Sequence, residues 1–220
     1  HFTMHKTIVL GYGAYEKIAG SFLNKIIRFE TMLTAIQYFS WSKMGYPYMG
    51  VGRNLAYKKE EFYSVNGFID HIKIRSGDDD LFINQVANHK NTTICYSPES
   101  FTYSKPKTTF KNWFNQKRRH LTTAVFYKPF DKIRLSLFYV SQLLFLILAI
   151  VLLAFQYQWI IVASVVLIRY LVAWVSLGFA SSKLKEKDVM YWFPIIEIML
   201  IFTQLNIFIT NIFSKPVHWK

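Results

Sequence analysis

Apolar and polar positions divide this chain near residue 130. Before that point short apolar blocks alternate with polar ones; after it Leu, Ile, Val and Phe run almost unbroken. Residues 135–155 are interrupted only by Ser136, Ser141 and Gln142, and predict a helix able to cross a hydrocarbon core of about 30 Å. Gln156, Tyr157 and Gln158 make a polar turn, and residues 159–179 predict a second span. A loop with Lys183, Lys185 and Lys187 follows. Residues 189–213, which include Pro194 and Glu197, form a third candidate that either spans or lies partly embedded at the interface. Arg169 falls mid-span in the second segment, where an unpaired charge is costly. Glu197 reaches a similar depth if the second and third helices are antiparallel neighbours, so the two are predicted to pair.

In the polar part, residues 7–10 and 93–96 suit strands, the latter through Thr and Ile. Residues 15–43 carry Ile18, Phe22, Ile26, Phe29, Met32, Ile36 and Phe39 at helical spacing, and their aromatics predict an interfacial helix ended by Gly45-Tyr46-Pro47. Residues 48–57 predict a loop, then a short strand. Further helices are predicted over 59–65, 79–88 and 108–127, the last with Phe110, Trp113, Phe114 and Leu121 on one face.

Charge adds partners and an orientation. In 220 residues, 26 Lys and Arg face 13 Asp and Glu, a formal charge of +13 that suits anionic lipid or nucleotide phosphates. Beside so apolar a tail, a basic patch facing a bilayer is poorly placed for nucleic acid. Lys128, Lys132 and Arg134 precede the first span and the lysine loop follows the second, so both flanks belong on the cytoplasmic side. The expectation is an integral protein of a bacterial inner membrane, with residues 1–130 as a cytoplasmic domain and 131–220 as the membrane domain. Cys95 is the one cysteine, so no intrachain disulfide forms, and the six histidines lack metal-ligand spacing. The first residue is His1 and no signal pattern opens the chain, which reads as the later part of a longer protein.

Three stretches carry candidate chemistry. Asp78-Asp79-Asp80 opens a predicted helix, where acidic residues suit the dipole and free N–H groups. Three adjacent carboxylates exceed what a cap needs, and one so placed can deprotonate a hydroxyl, the helix N-terminus helping to keep it ionised. Gln116-Lys117-Arg118-Arg119-His120 offers amide and guanidinium groups to a sugar or phosphate, with Gln116 and Arg119 three apart on a helix; the same run also suits lipid head groups. Trp113 fits either a sugar platform or a membrane interface. Gly52-Arg53-Asn54, after Gly50, allows a close backbone approach to a ligand, or simply a turn.

Taken in order, these residues resemble the membrane-bound family 2 glycosyltransferases, inverting enzymes with a nucleotide-sugar donor. Gly77-Asp78-Asp79 stands where that family carries Thr-Glu-Asp or a variant, whose Asp is the base; this register makes Asp79 the base, and matching the Asp-Leu pair that follows makes it Asp78. Gln116 to His120 is similar to the family's Gln-x-x-Arg-Trp, with His120 in place of Trp. Gly52 to Tyr57, then Phe62 and Gly67-Phe68, is similar to the segment before the base. The resemblance implies an α/β fold: an incomplete GT-A-type domain followed by interfacial and transmembrane helices. It implies transfer of a sugar to a hydroxyl of a lipid-linked or polysaccharide acceptor. Asp79 or Asp78 would be catalytic, and Asp80, Gln116, Arg118, Arg119, His120, Trp113, Gly52, Arg53 and Asn54 would bind substrate. A divalent cation, Mg or Mn, is expected with its ligands mostly outside this chain, which would then be inactive by itself. The contrasting expectation is a non-catalytic anchor or scaffold that holds anionic lipid or a partner through its basic run.

Overall fold

The computed structural model describes residues 1–74 and 76–214. Strand β1 (Ile8–Leu10) breaks at Gly11-Tyr12 and re-forms as β2 (Gly13–Tyr15). β1 is the middle of a three-stranded sheet, antiparallel to β3 (Leu55–Tyr57) and parallel to β4 (Thr92–Ile94). β2 pairs in parallel with β5 (Thr102–Ser104). The β2–β5 pair was not predicted, because Tyr15 fitted the helical spacing that follows it.

That helix, α1 (Phe22–Lys43), starts later than its apolar spacing suggested. Gly20 takes φ +74°, and the Ser21 hydroxyl then accepts the Asn24 N–H at 3.2 Å, a side-chain cap that fixes the start. Nor does α1 have the one-sided apolar face of an interfacial helix. Ile26, Ile27, Phe29, Met32, Ala35 and Tyr38 are buried, and α1 contacts β2 and β4 on one side and the last long helix on another. It is the core helix of the polar part. The short α2 (Lys59–Ser64) leads to α3 (Asp78–Val86), and α4 (Phe110–Thr123) follows β5. The aromatics of α4 do not form a single buried face. Trp113 is buried, whereas Phe110 is 49% exposed.

Among the described residues three helices are long and apolar enough to cross a membrane: α5 (Pro129–Ala154), α6 (Trp159–Lys183), and α7 (Phe193–Phe213) with its leading 3-10 turn. With the mixed sheets before them, they make this an α/β domain with a helical membrane-type tail. Residues 215–220, the end of the expected membrane part, lie outside the described residues. Arg169 of α6 makes two bonds to Glu197 of α7, at 2.8 and 2.7 Å, which is the pairing expected from their depth.

Polar clamps fix the tail to the domain. Arg28 of α1, 2% exposed, holds Glu186 and Asp188 in the loop after α6, and Phe193 packs on Phe29 at 5.8 Å. At the start of α5, Asp131 accepts from Asn84 of α3 at 2.9 Å, and Asn84 accepts the Lys128 N–H at 3.0 Å. Arg134 binds Asp131 and lies 4.4 Å over the Trp41 ring. The acidic helix α3 is thereby fastened to the first apolar helix.

Candidate active site

A cavity of about 850 Å³ opens beside β2 and runs down between α1, α4, α5 and α7. Its upper wall takes Asp79 and Asp80 from α3, Arg53 from the loop before β3, and Trp113, Gln116, Lys117 and His120 from α4. The acidic and basic stretches, separate in sequence, face one hollow.

Gly77 and Gly52 make this possible. Gly77 sits at φ +82°, in the left-handed region, and a β-carbon there would lie 2.0 Å from Thr123 Cγ2. Only glycine lets the start of α3 touch the end of α4. At Gly52 a β-carbon would lie 2.9 Å from Asp79 Oδ2, the oxygen that accepts the Gly52 N–H. The Asp79 Oδ1 accepts the Asp80 N–H at 3.0 Å. Asp79 is thus held by backbone donors on both oxygens, and each oxygen retains acceptor capacity toward the cavity.

Its neighbours differ. Asp78 is exposed and faces a second hollow, of about 220 Å³, that it shares with Asp79, Tyr57 and Phe82. Asp80 is buried and takes a hydrogen bond from the Tyr127 hydroxyl. Burial raises the pKa of both Asp79 and Asp80, Asp80 well above the ordinary carboxylate range with the Asp79 charge adding to it. At Asp79 the Gly52 and Asp80 N–H groups oppose burial without overcoming it, and the Asp78 charge pushes the same way as burial. The helix start does not win, as the sequence had suggested it would; desolvation does.

Along α4, positions 113, 116, 117, 120, 121 and 124 form one stripe at helical spacing, and that stripe is the cavity wall. Arg118 and Arg119 lie off it. Arg118 binds Asn211 Oδ1 at 2.8 Å and Ser214 at the end of α7, so it ties α4 to the tail. Arg119 is half-buried outside the wall, near enough for its charge to act on His120. His120 is exposed toward the cavity, yet desolvation by the surrounding walls, then the charges of Lys117, Arg119 and Arg53, lowers its pKa to about 4. Arg53 lies 4.2 Å over the Tyr15 ring and donates to the Ala14 carbonyl at 2.8 Å. Asn54 turns inward: its amide donates to the Tyr12 and Ser100 carbonyls at 2.9 and 2.7 Å, bracing the loop that carries Gly52 and Arg53.

A profile of the glycosyl transferase family group 2 matches residues 5–181. The chain belongs to that family. No curated protein and no solved structure matches it.

This family member also uses residues that its sequence motifs did not single out. Glu30 of α1 binds Lys117 at 2.5 Å and accepts the Trp113 indole N–H at 3.2 Å, which sets the rotation of α4 about its axis. Tyr127 holds Asp80, and Tyr48 packs against Tyr127 at 6.1 Å. Glu30 carries no signal in a single sequence, since it is one of several charged positions, with Lys25, Arg28 and Lys43, on α1. Among the described residues no group of three His, Cys, Asp or Glu side chains is placed to hold a metal ion.

Proposed function

We propose that this glycosyltransferase moves a sugar from a nucleotide-sugar donor to a hydroxyl of a lipid-linked or polysaccharide acceptor, with inversion, and that Asp79 is the base. The observation that carries this reading is the shared cavity: Asp79 faces Gln116, Lys117, His120 and Arg53 across one hollow. The acceptor oxygen attacks the anomeric carbon from the face opposite the diphosphate. Its proton passes to Asp79, the new carbon–oxygen bond forms, and the bond to the diphosphate breaks with its electron pair leaving on phosphate oxygen. Burial makes Asp79 a stronger base than an exposed carboxylate, while the two backbone N–H groups hold it in one orientation. Arg53 and Lys117 supply positive charge for the leaving group, and the neutral His120 and Gln116 offer hydrogen bonds to sugar hydroxyls.

The reading favours Asp79 over Asp78, which faces the smaller hollow. It gives Arg118 and Asn54 supporting parts, with the α4 wall of Gln116, Lys117 and His120 at the substrate. Placement in a bacterial inner membrane with the polar domain cytoplasmic is part of the same proposal, supported by the basic flanks of α5 and α6. Transfer of radiolabelled sugar from a nucleotide donor, compared between the full-length enzyme and its Asp79→Asn variant, tests it. If Asp78, Asp79 and Asp80 are all neutralised with no loss of function, the anchor or scaffold reading takes its place.

A further inference from the structure

The cavity does not stop at the level of α4. It continues between the membrane-type helices α5 and α7, past Leu135 and Phe138 on one side and Leu200, Ile201 and Ile207 on the other. From Leu135 to Gln142 and from Glu197 to Phe208 the walls extend about 10–16 Å at 1.5 Å per residue. Resting on the glycosyltransferase reading above, we propose that the acceptor is a lipid. Its head group, with a phosphate and a free hydroxyl, is presented to Asp79, and its hydrocarbon tail lies between α5 and α7.

Three observations favour this occupant over a glycan. The lower walls are mostly apolar, and a sugar hydroxyl set against them would be left unpaired at an energetic cost. The Tyr139 hydroxyl already donates to the Ile201 carbonyl at 3.1 Å and Glu197 is held by Arg169, so Ser136, Gln142, Thr203 and Gln204 are the remaining polar side chains there. At the junction of the two compartments Lys132, in the first turns of α5, lines the wall near Lys117, whose charge is partly met by Glu30, and the exposed Lys132 suits a lipid phosphate. Chemically, the lipid hydroxyl loses its proton to Asp79 and gains the anomeric carbon as the nucleoside diphosphate departs.

The test is photolabelling of the full chain in phosphatidylethanolamine vesicles containing phosphatidylglycerol with a diazirine in its acyl chain. This probe carries both a phosphate and head-group hydroxyls. Peptide mapping is expected to concentrate the label on the cavity-facing positions of α5 and α7. Thr203→Trp, which fills the lower compartment, is expected to reduce that labelling several-fold, and Phe202→Trp, on the 52% exposed outer side, is not. Leu200→Trp repeats the test if Thr203→Trp folds poorly. Label spread evenly over α6 and the outer faces, unchanged by either filler, overturns the proposal. Asp79→Asn is expected to lower transfer about 10²–10⁴-fold and leave the labelling intact. Normal transfer by that variant would sink the catalytic assignment while the labelling result stood.

Discussion

Gly77 and Thr123 are in contact, with the place of a Gly77 β-carbon only 2.0 Å from Thr123 Cγ2. This contact seats the start of α3 against the end of α4 and so sets the distance between Asp79 and the α4 wall. Gly77→Ala is expected to cost about 1–2 kcal/mol from the left-handed backbone alone. The clash adds to this and displaces one helix from the other. Both melting temperature and turnover should fall. Thr123→Ala in the same chain removes Cγ2, together with a hydroxyl that is buried without a partner, and should restore part of the loss. Additive losses in the double variant would show that this contact does not set the geometry.

Asp79→Asn should lower turnover about 10²–10⁴-fold, the usual worth of a positioned base, with little change in KM. Asp78→Asn should leave most of the turnover, since Asp78 is exposed and faces the second hollow. The pH profile gives a finer check. Asp79 must be ionised to act, and burial holds its pKa above the ordinary range, so activity is lost on acidification sooner than for an exposed aspartate. The Asp78 charge contributes to that rise, and Asp78→Asn should therefore move the acidic limb of kcat/KM to lower pH. A limb that stays in place in Asp78→Asn but moves in Asp80→Asn would assign it to another carboxylate.

Asp80 should leave its mark on stability. Its folded-state pKa lies above its unfolded value, mainly from burial. Between those two values the native state binds more protons than the unfolded state, so stability falls as pH rises through that window. Asp80→Asn removes the penalty while its amide oxygen can still accept from Tyr127. The variant should melt higher than the parent near neutral pH, and the difference should vanish below about pH 4, where both states of the parent are protonated. Thermal melts across that range decide the matter; an unchanged difference at low pH would place the effect in packing.

The fold was legible where one pattern dominated locally. The apolar runs of α5, α6 and α7 and the acidic start of α3 stand out because each is a continuous feature. The extent of α1's burial is not legible, because spacing shows which residues share a face but not how many faces are covered; Arg28 is buried because Glu186 and Asp188 come to it from far along the chain. The site was legible as two motifs, and the sequence could not say how α4 would be turned. Gln116 and Arg119 are three apart and either neighbour could have shared the wall. The Glu30 contacts to Trp113 and Lys117 select the 113–116–117–120 stripe and send Arg118 to α7. That choice is made by tertiary partners, which no helical period encodes.

The Arg169–Glu197 pair joins α6 to α7 within segments that are otherwise apolar, with side-chain exposures of 24% and 8%. Arg169→Leu leaves the Glu197 carboxylate without its partner in that setting, and Glu197→Leu strands the guanidinium. Each single change is expected to destabilise by about 3–5 kcal/mol, the range for breaking a buried pair from one side. Replacing both removes the two charges together, so the double variant should lose much less than the sum. Thermal unfolding is the appropriate readout because Glu197 also borders the cavity, where a change in turnover would have two causes. A double variant as damaged as the two singles combined would mean that the bonds between them contribute nothing to holding α6 on α7.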